Sequence, residues 1–126
     1  MKRLWLGITL AAILLVMGFG VTDLIDRTSA DIAGTLESAA AEALSGNLQT
    51  AATLAQNAHT QWKSAWNQVA VVADHAPMDE IDGLFAQLSV YADTGSSTAF
   101  AAHCRRIAQL ILAVGEAHSF TWWNLL

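Results

Sequence analysis

An uncharged apolar run near the N-terminus constrains this chain more than any other feature. From Leu4 to Val21 the sequence LWLGITLAAILLVMGFGV contains no charged residue. As a helix rising about 1.5 Å per residue it would be roughly 27 Å long, close to the roughly 30 Å hydrocarbon core of a bilayer. The sequence therefore predicts one membrane-spanning helix.

A cleaved signal peptide and an uncleaved anchor are the two interpretations of this run. The basic start Lys2-Arg3 suits both. However, the run exceeds the roughly 7–15 residues of a usual signal-peptide core, and Gly18-Phe19-Gly20 is a poor cleavage site with no polar region before it. These features favour an uncleaved signal-anchor over residues 1–22.

The charges that flank the run predict its orientation. Lys2 and Arg3 precede it, whereas Asp23, Asp26 and Asp31 follow it. Basic flanks stay on the cytoplasmic side of a membrane. We therefore expect a single-pass protein of the cell membrane, with a cytoplasmic N-terminus and an extracytoplasmic C-terminal domain.

The remainder of the chain, residues 23–126, has room for one small domain. Eleven acidic residues face four basic ones there, a net charge of about −7, which makes nucleic acid or anionic lipid an unsuitable partner. A single proline and abundant alanine favour helix throughout.

Apolar residues recur at three- and four-residue steps along this domain, the pattern of amphipathic helices. Glycine-containing turn signals at Ser45-Gly46-Asn47 and Thr94-Gly95-Ser96-Ser97 separate helices, and Pro77 places a further break between His75 and Asp79. We expect a first helix that continues out of the membrane, then helices over about 48–74 and 79–92, and a fourth after residue 97. The predicted fold is an all-α, up-and-down antiparallel four-helix bundle that continues from a transmembrane helix.

This topology predicts which features meet at each end of the bundle. Gly46 and Gly95 should lie together at the tip far from the membrane, whereas His75, Pro77 and the C-terminal tail HSFTWWNLL should lie near the bilayer. Because the tail is apolar and rich in tryptophan, it suits the membrane interface. The alternative is that it closes the open end of the bundle, and both can hold.

The strongest polar constellation is His75 with Asp79, Glu80 and Asp82. A histidine beside carboxylates can begin acid–base catalysis or a metal site. However, the sequence places no nucleophile beside it and contains no HExxH or Cys-x-x-Cys motif. The simpler interpretation is that the acids favour the N-terminus of the third helix and that His75 caps the second. We therefore expect no enzyme and no catalytic, metal or cofactor residues.

Five further side chains lie on apolar helical stripes. His59 and His103 could hold a haem or a metal inside a bundle, although core histidines satisfied by hydrogen bonds are more common. Cys104 precedes Arg105-Arg106, which could lower its pKa, although a lone cysteine on an inner face is usually a small buried hydrophobe. Trp62 and Trp66 could similarly stack on a ligand, but this spacing is typical of core residues.

Several short motifs together resemble a known family. They are Trp66, His75, Met78-Asp79-x-Ile81-Asp82, Phe85-x-x-Leu88-x-x-Tyr91 and the terminal Asn124-Leu125-Leu126. With the N-terminal span, they resemble the uncharacterised bacterial family called domain of unknown function 4363. The resemblance implies a small, single-span helical protein of a spore-forming Gram-positive bacterium, encoded near a multi-span membrane protein. The chain departs from the family pattern in its alanine content and in Ala76-Pro77, where acidic residues commonly follow the histidine.

The sequence thus favours a non-enzymatic accessory or scaffold subunit for an integral membrane partner. An extracytoplasmic sensor or ligand-binding module is the alternative, and the oligomeric state stays open. The candidate interaction and family-motif residues are Trp66, His75, Asp79, Ile81, Tyr91, Trp122, Trp123 and Asn124.

Overall fold

The computed structural model describes the backbone of residues 1–67 and 76–124, and the side chains within these ranges except 21–22, 76–77 and 117–124. All regular structure in this part of the chain is helical, which confirms the predicted all-α class. The four helices are α1 Lys2–Leu44, α2 Leu48–Asn67, α3 Ala76–Asp93 and α4 Ser97–Asn124.

The third helix begins earlier than the sequence predicted. It starts at Ala76, so Pro77 lies in its first turn and not in a break that extends to Asp79. A proline is tolerated there because the first N–H groups of a helix have no acceptor within it. The predicted end of the second helix, over 68–74, lies outside the described residues.

Two turns of the same kind reverse the chain. In the first, the N–H of Gly46 donates to the Ala43 carbonyl at 3.2 Å, and the N–H of Asn47 donates to the Glu42 carbonyl at 2.9 Å. The second turn repeats this hydrogen-bond pattern around Gly95. Gly46 and Gly95 have φ of 89° and 71°, the left-handed conformation that this helix ending needs.

Substitution of Gly95 tests this ending. Gly95→Ala should lower the free energy of unfolding by about 1–2 kcal/mol, because a Cβ disfavours the left-handed region. Gly83→Ala is the matched control, because Gly83 lies within α3 and no atom lies within 4 Å of the position that its added Cβ would take. That variant should keep or raise stability by up to about 1 kcal/mol. Urea unfolding followed by circular dichroism compares the two, and equal effects would contradict the turn assignment.

The helices form a ring in which each contacts its two neighbours. α1 packs against α2 and α4, and α3 packs against the same two helices, as expected for an up-and-down bundle. Ile32, Trp62 and Val114 line one cavity at one end. Ala52 and Phe100 line a groove toward the other end. The two glycine turns therefore lie at the same end of the bundle, as the topology predicted.

The core runs along the inside of this ring. Its largest fully buried side chains are Ile32, Leu36, Ile81, Phe100, Cys104, Ile107 and Ile111. Alanines fill most of the remaining core positions on α1 and α2. Because Ile107 and Ile111 are fully buried, α4 is an integral part of the bundle.

The α1–α4 contact is the most extensive in the bundle and includes a close approach at a glycine. Ala101, Ala108 and Gly115 recur every seven residues along α4. A Cβ at Gly115 would lie only 2.9 Å from Ser29 Oγ and 3.2 Å from Ser29 Cβ. The absence of a side chain at residue 115 therefore allows the two helices to approach closely there.

α1 extends far beyond the bundle. Every residue from 1 to 17 is exposed, including Leu4, Trp5 and Leu6 at about 70%. Among the described residues, α1 is the one helix that is long and apolar enough to cross a membrane, judged by length and composition. The helix does not break at the predicted boundary between residues 22 and 23.

Candidate functional site

His59 lies at the interface between α2 and α3. Its Nε2 donates a hydrogen bond to Asp82 Oδ1 at 3.2 Å, and its ring stacks on Phe85 with centroids 4.4 Å apart. The two polar side chains are 26% and 44% exposed, so the pair lies at the edge of the core. His59 is therefore hydrogen-bonded, as the simpler interpretation predicted.

His103 occupies the corresponding edge between α3 and α4. Its Nε2 donates to Gln87 Oε1 at 3.0 Å, and its ring lies 4.7 Å from that of Tyr91. Asp82 and Gln87 are five residues apart, which places them about 140° apart around α3 at about 3.6 residues per turn. The two histidines thus contact α3 from different sides and have separate partners, an arrangement unlike a shared haem or metal site.

The acidic residues around the start of α3 have different surroundings in the structure. Asp79 is exposed in the first helical turn, where a negative charge is favourable, while Asp82 contacts His59. Glu80 lies 3.8 Å from Arg106 Nη2. Among the residues that the structure describes, no group of three potential metal ligands occurs. His75, the centre of the predicted constellation, lies outside the described residues.

The two adjacent arginines on α4 reach different neighbours. Arg105 Nε lies 3.6 Å from Glu37 Oε2 of α1, whereas Arg106 reaches Glu80 of α3. All four side chains are about half exposed, so each pair is worth roughly 0–1 kcal/mol. These pairs add little to stability, but they bring opposite charges together where α4 adjoins α1 and α3.

Cys104 is a core residue. It is fully buried, and burial, with a smaller contribution from the charge of Glu37, raises its pKa to about 12. The adjacent arginines do not produce the low pKa of a reactive thiolate, because they point to Glu37 and Glu80. The interpretation of Cys104 as a small buried hydrophobe is confirmed.

Thiol labelling tests this assignment. At about pH 8 a maleimide should label Cys104 slowly in the folded protein and rapidly in urea, because only the thiolate reacts. Ala102→Cys, on the exposed face of α4, provides the rapidly labelled control. Stability should not depend on this thiol below pH 9.0 and should fall as pH rises from there toward about 12, because the thiol then ionises in the unfolded chain alone. Rapid labelling of folded Cys104 would contradict its burial.

Trp62 and Trp66 lie in the core at the end of the bundle that adjoins the apolar half of α1. They are 4% and 9% exposed, and their rings stack with centroids 5.5 Å apart. They border a cavity of about 60 Å³ between α1, α2 and α4. The buried Nε1 of Trp62 has no hydrogen-bond acceptor among the described residues.

The remaining candidate residues are distributed over the bundle. Ile81 is 1% exposed and belongs to the core, whereas Tyr91 is half-buried beside His103. Trp122, Trp123 and Asn124 belong to α4, and their side chains lie outside the described residues. The four candidate side chains that the structure describes, those of Trp66, Asp79, Ile81 and Tyr91, are therefore not gathered into one site.

Two kinds of contact between helices were not predicted from the sequence. The partners of the two histidines, Asp82 and Gln87, lie on a different helix from either histidine, and no spacing rule connects them. The close approach of Gly115 to Ser29 left a weak signal, the seven-residue recurrence of small residues on α4.

The fold and these contacts define a four-helix protein whose first helix carries a long exposed apolar extension. A family model described as Domain of unknown function (DUF4363) matches residues 19–125, so the chain belongs to that family. No curated protein and no solved structure matches the chain.

Proposed function

We propose that this protein is a non-enzymatic, membrane-anchored helical bundle that serves as an accessory or scaffold subunit for an integral membrane partner. The observation that carries the proposal is the exposed apolar half of α1, which continues without a break into the bundle core. Exposure of large apolar side chains to water costs roughly 1.5–3 kcal/mol each, and a bilayer around this half of the helix would remove that cost.

The continuity of α1 supports a scaffold more than a tethered module. No glycine- or proline-rich linker separates the apolar run from the bundle, so one helix sets the distance and orientation of the bundle relative to the bilayer. A ligand-binding domain does not need this constraint, whereas a subunit that must contact a partner at a fixed depth does.

The flanking charges support an extracytoplasmic bundle. Lys2 and Arg3 lie before the apolar run, and the first basic residue after it, Arg27, forms an ion pair with Asp23 at 3.1 Å. The excess of positive charge therefore lies at the N-terminus, which favours a cytoplasmic location for that end. The bacterial cell membrane implied by the family resemblance fits this topology.

The register of α4 supports a partner contact near the bilayer. Gly115 lies opposite Ser29, and α4 continues nine residues further to Asn124, about 14 Å at the usual helical rise. Val21 lies eight residues before Ser29, about 12 Å along α1 in the same direction. The end of α4 thus reaches the level at which the apolar run ends, which supports a contact of the tail with lipid or a membrane partner.

Impermeant thiol labelling tests the topology. Thr50→Cys, exposed near the distal turn, should be labelled in intact cells, whereas a cysteine inserted between Met1 and Lys2, which keeps both basic residues, should be labelled only after permeabilisation. Native Cys104 contributes little background because it is buried. The reverse pattern would refute the extracytoplasmic placement.

Capture of a partner tests the scaffold role. Tagged full-length protein is purified in mild detergent beside a variant with Trp122, Trp123 and Asn124 replaced by alanine, and Leu44→Ala at the opposite end serves as the matched control. One multi-span protein should copurify with the wild type and the control but not with the tail variant, and a tag on that protein should capture this chain in return. Failure of the reciprocal capture would contradict the scaffold role.

One observation favours the ligand-binding alternative. A groove of about 380 Å³ lies between α2 and α3, and its polar lining consists of Gln56, His59, Ser89 and Asp93. A ligand of this groove would raise the melting temperature, and the stabilisation would grow with the logarithm of its concentration once that exceeds Kd. The melting temperature of a scaffold should instead be indifferent to added transition metals and haem.

A further inference from the structure

The cavity at the membrane-facing end of the bundle has the features of a binding site. Its wall consists of apolar side chains and two small hydroxyl residues, and none of the lining residues is charged. The main apolar residues of the wall are Leu24, Ile25, Ile32, Trp62, Trp66 and Val114. Its volume of about 60 Å³ holds several water-sized groups, since one water needs about 10–15 Å³. An apolar wall of this kind favours a hydrocarbon occupant over water.

Besides these two hydroxyl groups, Trp62 contributes a buried hydrogen-bond donor to the wall. Trp62 is 4% exposed, and its buried indole N–H has no acceptor among the described residues. An unpaired buried donor costs free energy that an acceptor from a ligand would recover. The cavity therefore suits an apolar chain that carries a carbonyl oxygen.

The position of the cavity indicates where such a chain comes from. Leu24, which borders the cavity and is 59% exposed, lies three residues after the end of the apolar run of α1. Ile32, also in the wall, lies eleven residues after it, so the cavity covers heights of about 5–16 Å above the run at the usual helical rise. If the run spans the bilayer, the lower part of this range, at Leu24 and Ile25, overlaps the headgroup region, which extends about 5–8 Å beyond the hydrocarbon core on each side. A chain that enters the cavity past Leu24 therefore rises a few ångströms out of the core.

We propose that this cavity binds the carbonyl end of one acyl chain of a membrane phospholipid, with the Trp62 indole N–H donating to the ester oxygen. The proposal rests on the membrane anchoring proposed above. The small volume limits the occupant to one chain, and the absence of a basic lining residue argues against the phosphate as the group bound. The remainder of the chain passes Leu24 into the bilayer.

Fluorescence quenching by brominated lipid tests the proposal in reconstituted full-length protein. Bromine quenches tryptophan at contact range, so phosphatidylcholine brominated near the carbonyl end of its chains reports the depth of each ring. One variant keeps Trp62 alone and another keeps Trp5 alone, with the other tryptophans replaced by phenylalanine. Trp5 lies within the apolar run and reports insertion of the anchor itself.

Two substitutions on α2 separate cavity binding from general proximity to lipid. Ala65→Phe fills the cavity from its wall, whereas Ser64→Phe adds the same ring on the exposed face. Brominated lipid should cause a loss of Trp62 emission that Ala65→Phe abolishes and Ser64→Phe does not. Equal helicity by circular dichroism shows that the variants remain folded.

The other outcomes overturn the proposal in distinguishable ways. Quenching of Trp5 without quenching of Trp62 would refute the lipid site and leave the anchor standing. Quenching of neither ring would refute the anchor and the site with it. Quenching of Trp62 that persists in Ala65→Phe would mean that lipid reaches the ring by another route.

A second measurement requires no tryptophan replacement. Wild-type protein is irradiated in bilayers that contain a phospholipid with a diazirine near the carbonyl end of its chain, and the adducts are mapped by mass spectrometry. Adducts on the cavity wall at Ile32, Trp62 or Val114 are expected. Adducts confined to residues 4–21 would overturn the proposal.

Discussion

Replacement of Trp66 by alanine should lower the free energy of unfolding of the bundle by about 3–5 kcal/mol, as for other truncations of a buried aromatic ring. Trp66 is 9% exposed and its ring stacks on that of Trp62. The bundle has few other large side chains on α2, where alanines occupy the other core positions Ala51, Ala55 and Ala58. Neighbouring side chains therefore have little capacity to fill the space that the ring leaves.

Urea unfolding followed by circular dichroism in detergent measures this effect. Trp66→Phe should cost less because it keeps an aromatic ring at the position, and Leu112→Ala, at a 42% exposed position on α4, should cost least. A loss below about 1 kcal/mol for Trp66→Ala would place the ring on a binding surface, because a core truncation of this size cannot be so mild.

Gly115→Leu should destabilise the protein by about 1–3 kcal/mol or more through overpacking between α1 and α4. Two effects oppose each other at this position. Leucine favours a helix over glycine by up to about 1 kcal/mol. However, even the first added carbon would lie 2.9 Å from Ser29 Oγ, and the Ser29 side chain is only 8% exposed. The helices must move apart to accept the larger group, so the steric cost prevails.

The matched control for this substitution is Gly34→Leu. Gly34 lies on the exposed face of α1 with no atom within 4 Å of an added Cβ, so the propensity gain should appear there without a steric cost. An exchange of the two residue sizes provides a second check. When Ser29→Gly is combined with Gly115→Ala, it should restore part of the stability that Gly115→Ala loses. If Gly115→Leu and Gly34→Leu change stability alike, the close contact between α1 and α4 is refuted.

The α1–α4 contact also connects the stability of the bundle to its proposed function. Because α4 runs back along α1 toward the apolar run, a variant that separates these helices should also displace the tail from its proposed contact at the membrane. Partner capture should therefore be lost in Gly115→Leu as well as in the variant with Trp122, Trp123 and Asn124 replaced by alanine. Loss in both proteins would agree with one membrane-proximal contact surface.

The sequence by itself determined the helices, their turns and the core faces. Turns at Gly46 and Gly95 were predictable because a left-handed residue after a helix is almost always glycine, and both have positive φ. The stripe containing Ile32 and Leu36 was predictable because a helix repeats every 3.6 residues or so and apolar side chains avoid water. These are local rules, and they need no knowledge of which helices become neighbours.

Only the tertiary structure decided which side chains meet across helices. The pairing of His59 with Asp82, the pairing of His103 with Gln87 and the cavity beside Trp62 depend on the relative rotation and register of different helices. Periodicity identifies the buried face of each helix, but the packing of all four faces together sets the register, so contacts between helices are not encoded at any one position.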